Sequence, residues 1–99
     1  MALLMSINVD EFLNFLGSWF PDSDLEGVPD DRQVVRNFLD TKNTRKIQQV
    51  RIGCDEILAM PKLPLERIMT EANRHFDTEE QCRAWLMMCH STLLETASG

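Results

Sequence analysis

The sequence predicts an all-α fold, a compact single-domain bundle of about five helices. Apolar residues recur at spacings of three and four along most of the chain, as they do on the buried face of an amphipathic helix. The alternation of apolar and polar residues that marks a half-buried strand is absent. Glycine and proline number only four each among 99 residues, which favours long helices and short connections over a turn-rich β fold. We expect one domain over residues 1–99, with an ordered core over roughly residues 8–95.

The first predicted helix runs from about Asn8 to Phe20, and either Ser6 or Asn8 can cap its start. Its apolar positions follow the helical period at Val9, Phe12, Leu13, Leu16, Trp19 and Phe20. Pro21 should end this helix, because proline lacks the backbone donor and disfavours helix at the residue before it. An irregular acidic loop is then expected from Asp22 to Val28.

The second predicted helix begins at Pro29 and Asp30 and runs to about Leu39. Proline suits a first helical turn, and Asp30 and Asp31 complement the positive end of the helix dipole. The apolar face of this short helix consists of Val34, Val35, Phe38 and Leu39.

The third predicted helix starts at Asn43 or Thr44 and ends by Met60, before a proline. Gly53 lies in its interior, where glycine costs about 1 kcal/mol relative to alanine. Close packing of a neighbouring helix is the explanation we expect for this glycine.

The fourth predicted helix spans Pro64 to about His75, and the fifth has the clearest start of all. Thr78-Glu79-Glu80-Gln81 is a capping box, in which the threonine hydroxyl and the glutamine side chain satisfy each other's unpaired backbone donors. This last helix should end near Glu95. Its predicted buried stripe consists of Cys82, Trp85, Leu86, Cys89 and Leu93.

The net charge of −6 is unevenly distributed along the chain. Residues 1–31 contain seven acids and no lysine or arginine, whereas residues 32–51 contain six bases and one acid. An acidic surface repels nucleic acid and attracts a basic partner, so the first segment predicts a protein that binds another protein. We interpret the basic segment as a solvated helix face, because nucleic-acid binding domains usually have a high pI and this chain has a pI of about 4.7.

The cysteine count and the first residues bear on the compartment. Three cysteines, an odd number, fit a reduced cytoplasmic protein. The apolar opening from Met1 to Met5 lacks the basic start of a secretory signal and is too short to span a membrane. We therefore expect a cytoplasmic protein, and either Met1 or Met5 can serve as its start.

The sequence predicts no catalytic residue and no cofactor. His75 and His90 are its two histidines, and neither has a serine, cysteine or aspartate placed by the sequence to orient it as a general base. Cys82 and Cys89 are separated by two helical turns, about 10 Å at 1.5 Å per residue, which is too far for both to hold one metal ion.

The sequence also predicts no metal site. Asp22, Asp24 and Glu26 alternate in the manner of a calcium loop. An EF-hand requires glycine at the sixth loop position and glutamate at the twelfth. Counted from Asp22, these positions hold Gly27 and Gln33, so the bidentate ligand is missing.

Several segments form one pattern: an aromatic pair, an acidic loop, a short helix ending in Phe-Leu, and an Arg-x-Trp-Leu element. These segments are Glu11-Phe12-Leu13, residues 17–27 (GSWFPDSDLEG), residues 33–39 (QVVRNFL) and Arg83-Ala84-Trp85-Leu86. Together they resemble one group of small helical immunity proteins from the contact-dependent growth inhibition systems of bacteria. The resemblance spans roughly residues 9–95.

The resemblance implies a cytoplasmic protein that is not an enzyme and that binds a toxin domain delivered by a neighbouring cell. Such toxins are commonly nucleases, often RNases, and they present basic substrate clefts. The predicted toxin-binding residues are the acids that would complement such a cleft, although a solvated loop is an equal alternative: Asp22, Asp24, Glu26, Asp30 and Asp31. Buried aromatic anchors would supply the lasting affinity.

A second interpretation is a small helical regulator or adaptor. It would bind nucleic acid or another protein through the basic segment 32–51, with the second and third predicted helices acting as a helix-turn-helix.

Overall fold

A computed structural model describes residues 7–28 and 30–95, which form five helices joined by short connections. The helices are α1 (Ile7–Glu26), α2 (Asp31–Leu39), α3 (Thr44–Leu58), α4 (Leu65–Ala72) and α5 (Glu79–Leu93). The described residues contain no strand. The predicted all-α bundle is therefore confirmed.

Helix α1 differs most from the sequence prediction, because it continues through Pro21 to Glu26. The expected end at Phe20 and the expected acidic loop are therefore wrong. Proline removes one backbone hydrogen bond, but the turn that follows it is held independently. Ser23 is buried there, and its hydroxyl donates to the Phe20 carbonyl oxygen at 2.7 Å.

Gly27, and not Pro21, ends α1. Its φ of +75° lies in the left-handed region that favours glycine. The backbone N–H of Gly27 donates to the Asp24 carbonyl at 3.3 Å, and that of Val28 donates to the Ser23 carbonyl at 3.0 Å. These two bonds form a Schellman motif. The acids of this segment consequently lie on the last helical turns and not in an irregular loop.

The starts of α2 and α3 are fixed by side-chain caps. Asp30 caps α2 by accepting a hydrogen bond from the Arg32 backbone N–H at 2.9 Å, so it precedes the helix that it was expected to begin. Asn43 caps α3 by accepting from the Lys46 N–H at 3.2 Å, so the helix starts at Thr44, one of the two predicted positions. Ser6 and Pro29 lie outside the described residues, and Asn8 lies inside α1 instead of capping it.

Helix α4 ends three residues earlier than predicted, because Asn73 adopts the left-handed conformation with φ of +54°. The start of α5 is confirmed, since the Thr78 hydroxyl accepts from the Gln81 N–H at 3.1 Å. The reciprocal bond of the capping box is shifted by one residue, because the Gln81 side chain accepts from Asp77 and not from Thr78.

Helix α1 is the central element and packs mainly against α3 and α4, while α5 covers α3 and α2. Gly53 lies at the crossing of α3 with the start of α1, where a β-carbon would overlap the Asn8 carbonyl oxygen. The predicted reason for this glycine is therefore confirmed. The largest fully buried side chains of the shared core include Phe12, Leu13, Leu16, Phe20, Ile57, Ile68, Leu86 and Leu93.

Among the described residues, no helix combines the length and the apolar character that crossing a membrane requires.

Candidate functional site

The five predicted toxin-binding acids fall into two sets in the structure. Asp24 and Asp31 bind a side chain of the protein itself, at the junction of α1, α2 and α5. The other three acids are exposed, namely Asp22, Glu26 and Asp30. The sequence alone gave no sign of this division.

Arg74, just after α4, holds the first set together. Its Nη1 donates to Asp24 Oδ2 at 2.9 Å, and its Nη2 and Nε donate to the two oxygens of Asp31 at 2.6 and 3.0 Å. Trp85 Nε1 donates to Asp31 Oδ2 at 2.8 Å. The guanidinium carbon also lies 5.4 Å from the centre of the Phe20 ring. We call these five residues the Arg74 cluster. Charge-assisted bidentate hydrogen bonds of this kind are stronger than hydrogen bonds between neutral groups.

The electrostatics of the Arg74 cluster favour the ionised carboxylates. Burial alone would raise the pKa of Asp31, but the hydrogen bonds from Arg74 and Trp85 outweigh it and hold the pKa below its usual value. Hydrogen bonds from Arg74 and Asn73 likewise lower the pKa of Asp24. The cluster therefore stabilises the folded chain only while both acids are charged.

Acid should weaken the fold through this cluster. A carboxyl with a lowered pKa contributes stability above its unfolded pKa, near 4 for aspartate, and loses it as the pH falls through the folded pKa. Between about pH 6 and pH 3 we expect the free energy of unfolding to fall less steeply in Asp31→Asn than in the unmodified protein. Urea unfolding at each pH measures this, and Asp10→Asn, at an exposed position, is the control. Equal pH dependence in all three proteins would contradict the role of the cluster.

Two of the three exposed acids, Asp22 and Glu26, line a cleft between the end of α1 and α2. The cleft has a volume of about 170 Å³ and is lined by Trp19, Asp22 and Glu26 from α1 and by Val34 and Asn37 from α2. We call it the Trp19 cleft. Neither Asp22 nor Glu26 forms an ion pair or side-chain hydrogen bond with any other described residue.

Leu25, on the last turn of α1, is 88% exposed. Asp22, Leu25 and Glu26 have the i, i+3, i+4 spacing, so they share one face of α1. Asp30, the N-cap of α2, is also exposed, and it follows Glu26 closely in the sequence. The end of α1 thus presents an exposed apolar side chain beside two exposed carboxylates.

Part of the basic segment 32–51 is neutralised within the chain. Arg36 forms a bidentate pair with Glu95 at 3.0 and 3.1 Å, and Lys46 pairs with Glu11. Helix α2 packs on α5 and α1, while α3 packs on α1 and α5. In the second interpretation α2 and α3 would form a helix-turn-helix. Each of them packs mainly against α1 and α5 and not against the other.

A larger groove lies beside the Arg36–Glu95 pair, with a volume of about 810 Å³. Leu39 and Ile47 supply its apolar lining, and Asp40 and Lys42 add charges of opposite sign. Its charge is therefore mixed, in contrast to the acidic Trp19 cleft.

Each histidine has an aspartate neighbour, which the sequence analysis did not foresee. His75 Nε2 lies 2.9 Å from Asp77 Oδ1, with both side chains more than three-quarters exposed. His90 Nε2 lies 3.6 Å from Asp55 Oδ1 at the surface. The three thiols are free and buried. Burial raises the pKa of each thiol, that of Cys82 to about 11, which disfavours the nucleophilic thiolate at neutral pH.

Within the part of the chain that the structure describes, no three His, Cys, Asp or Glu side chains come together in a way that could hold a metal ion. The end of α1 explains this for the alternating acids, because Asp24 turns to Arg74 while Asp22 and Glu26 border the Trp19 cleft.

Comparison with family models, with curated proteins and with solved structures found no match to this chain. The resemblance to immunity proteins therefore stays a prediction from short motifs. In the Arg-x-Trp-Leu element, all three named residues have structural contacts. Arg83 donates to the carbonyls of Leu58, the last residue of α3, and of Met60, just beyond it. Trp85 donates to Asp31, and Leu86 is fully buried.

Proposed function

We propose that this chain is an immunity protein that binds and neutralises the cognate toxin domain of a contact-dependent growth inhibition system. The toxin domain is a nuclease, most simply an RNase, with a basic substrate cleft. The observation that carries the proposal is the exposed end of α1, where Leu25 lies beside Asp22 and Glu26, two carboxylates with no partner among the described residues. Asp30 extends this surface towards α2, and we call the four residues the acidic end.

The energetics of the acidic end support a role in binding. Like charges at i and i+4 destabilise a helix by about 0.2–0.5 kcal/mol. Carboxylates near a helix C-terminus also oppose the dipole. Asp22 and Glu26 combine both costs without an internal partner among the described residues. A basic partner would relieve both.

The composition of the acidic end also fits a rapid and specific inhibitor. Complementary charge steers two proteins together and raises the association rate. An exposed apolar side chain next to these charges, here Leu25, adds affinity once water is excluded. Asp24 and Asp31, which bind Arg74, contribute by fixing the backbone of this surface and not by direct contact.

Reversing the free charges should slow association and should not unfold the protein. Under this proposal we expect the adjoining reading frame to encode the toxin domain. In Asp22→Lys/Glu26→Lys, the rate of association with that toxin domain should fall about tenfold or more at low salt. The free energy of unfolding should rise slightly, because lysine suits a helix C-terminus. Stopped-flow mixing measures the rate, and urea unfolding measures the stability.

The matched control is Asp40→Lys/Asp55→Lys. These two exposed acids also lie near helix C-terminal ends, on α2 and α3, so the change in net charge is the same. The one added difference is that Asp55 loses its 3.6 Å contact with His90. We expect the control to slow association much less. Equal rates for both double variants would contradict the assignment of the acidic end.

The adaptor interpretation makes a different prediction. Binding to a DNA or RNA duplex through Arg32, Lys42, Arg45 and Arg51 would weaken steeply with salt. We expect a flat titration even at about 50 mM salt. Salt-dependent duplex binding together with no effect on the toxin domain would favour the adaptor over the immunity protein.

A further inference from the structure

The Trp19 cleft has the size of one side chain. Its volume of about 170 Å³ is below the range of roughly 300–1,000 Å³ that is typical of small-molecule sites. Its walls belong to α1 and α2, and the half-buried Trp19 lies between them. Such a cleft fits a single long residue that projects from another protein.

Trp19 is well placed to serve as a fixed aromatic wall. Its ring packs edge-to-face on Phe38, with 5.5 Å between ring centres and an interplanar angle of 70°. On the other side of Trp19, a smaller hollow holds the Lys46–Glu11 ion pair. No cation from the described part of the chain lies in the Trp19 cleft, although Asp22 and Glu26 both line it.

The protein already shows what this combination of groups binds. In the Arg74 cluster, a guanidinium lies against the Phe20 ring and bonds two carboxylates, one from α1 and one just inside α2. The Trp19 cleft offers the same kinds of group, namely one aromatic ring and two carboxylates. Here both carboxylates, Asp22 and Glu26, lie on α1, one helical turn apart. In the first set the cation comes from the chain itself. In the second set the cation is missing from the described residues.

We propose that the Trp19 cleft receives an arginine side chain of the protein partner, with its guanidinium against the Trp19 indole and its N–H groups on Asp22 and Glu26. Arginine fits better than lysine, because its planar group stacks on aromatic rings and pairs with carboxylates through several donors. This inference rests on the proposed function and specifies which feature of the basic partner is recognised.

The experiment uses the whole chain and a small probe, N-acetyl-arginine methylamide. In ¹⁵N-labelled protein, the indole N–H signals of Trp19 and Trp85 are followed as the probe is added. We expect the Trp19 signal to shift with a millimolar Kd, while Trp85, whose N–H is bonded to Asp31, stays unchanged. The citrulline analogue has nearly the same shape without the charge, and it should bind at least about tenfold more weakly.

Asp22→Asn/Glu26→Gln keeps the shape of the cleft and removes its charge, so the arginine probe should lose at least about tenfold in affinity. An unmoved Trp19 signal, or equal binding by arginine and citrulline, would overturn the proposal. So would undiminished binding to the neutral variant. The probe experiment does not involve the toxin domain, so the two proposals can fail separately. If the chain neutralises the toxin domain but does not bind the probe, only the arginine site is wrong. If it binds the probe but does not neutralise the toxin domain, the proposed function is wrong.

Discussion

Replacing Gly53 by alanine is expected to destabilise the protein by about 3 kcal/mol, the upper end of the usual cost of overpacking. The added β-carbon would overlap the Asn8 carbonyl oxygen and approach the Asn8 carbonyl carbon to 2.6 Å and Phe12 Cβ to 2.9 Å. These are backbone and stem atoms that no rotamer change can move. Helices α1 and α3 must separate, and the gain in helix propensity of about 1 kcal/mol offsets only part of the loss.

Gly17→Ala is the matched control on the partner helix. A β-carbon at Gly17 would meet Glu71 Oε1 at 2.5 Å, which is the mobile end of a side chain that can swing aside. The same gain in propensity should therefore leave this variant within about 1 kcal/mol of the unmodified protein. Urea unfolding of the two variants compares them directly. A Gly53→Ala protein as stable as Gly17→Ala would contradict the close α1–α3 crossing.

Replacing Arg74 by alanine is the second change with a large expected effect, again about 3 kcal/mol. Breaking a buried ion pair costs about 3–5 kcal/mol, because a charge is left buried and unpaired. We take the lower end because the side chains of Arg74 and Asp31 are 20% and 27% exposed. The loss includes the contact with Phe20 and the alignment of Asp31 beneath Trp85.

Arg67→Ala is the control for this prediction. Arg67 pairs with Glu71 within one helix, with half of its side chain exposed, and such pairs contribute about 0.3–0.5 kcal/mol. Equilibrium unfolding at neutral pH gives both values. Similar losses for the two arginine variants would show that the Arg74 cluster does not hold the helices together.

The Arg74 cluster also connects stability to the acidic end. Asp24 precedes Glu26 on α1, and Asp31 begins α2, so Arg74 fixes both walls of the Trp19 cleft to each other. Loss of Arg74 should loosen the cleft as well as the fold. The protein thus uses two of the five acids to position the helices and leaves the other three exposed.

The helical fold could be predicted because its signals are local. The spacing of the apolar residues predicts helices and not strands. The capping residues Asn43 and Thr78 mark where α3 and α5 begin. The predicted end of α1 is wrong because it rests on Pro21. The actual C-cap signal is Gly27, since glycine readily adopts the left-handed conformation that ends a helix.

The division of the acids could not be predicted, because it depends on contacts far apart in the sequence. Arg74 lies 50 residues from Asp24 and 43 from Asp31. Nothing in the local pattern distinguishes Asp24 from Asp22 or Glu26. The Trp19 cleft is likewise made by the packing of α2 beside α1, so only the fold reveals that it exists.

One titration tests the central proposal most directly. RNA cleavage by the toxin domain of the adjoining reading frame is measured as this chain is added in increasing amounts. We expect RNA cleavage to fall in proportion to the amount of this chain added and to cease near one equivalent of chain per toxin domain. Under the same conditions, Asp22→Lys/Glu26→Lys should inhibit more slowly than Asp40→Lys/Asp55→Lys. Cleavage that continues unchanged in an excess of the unmodified chain would contradict the account.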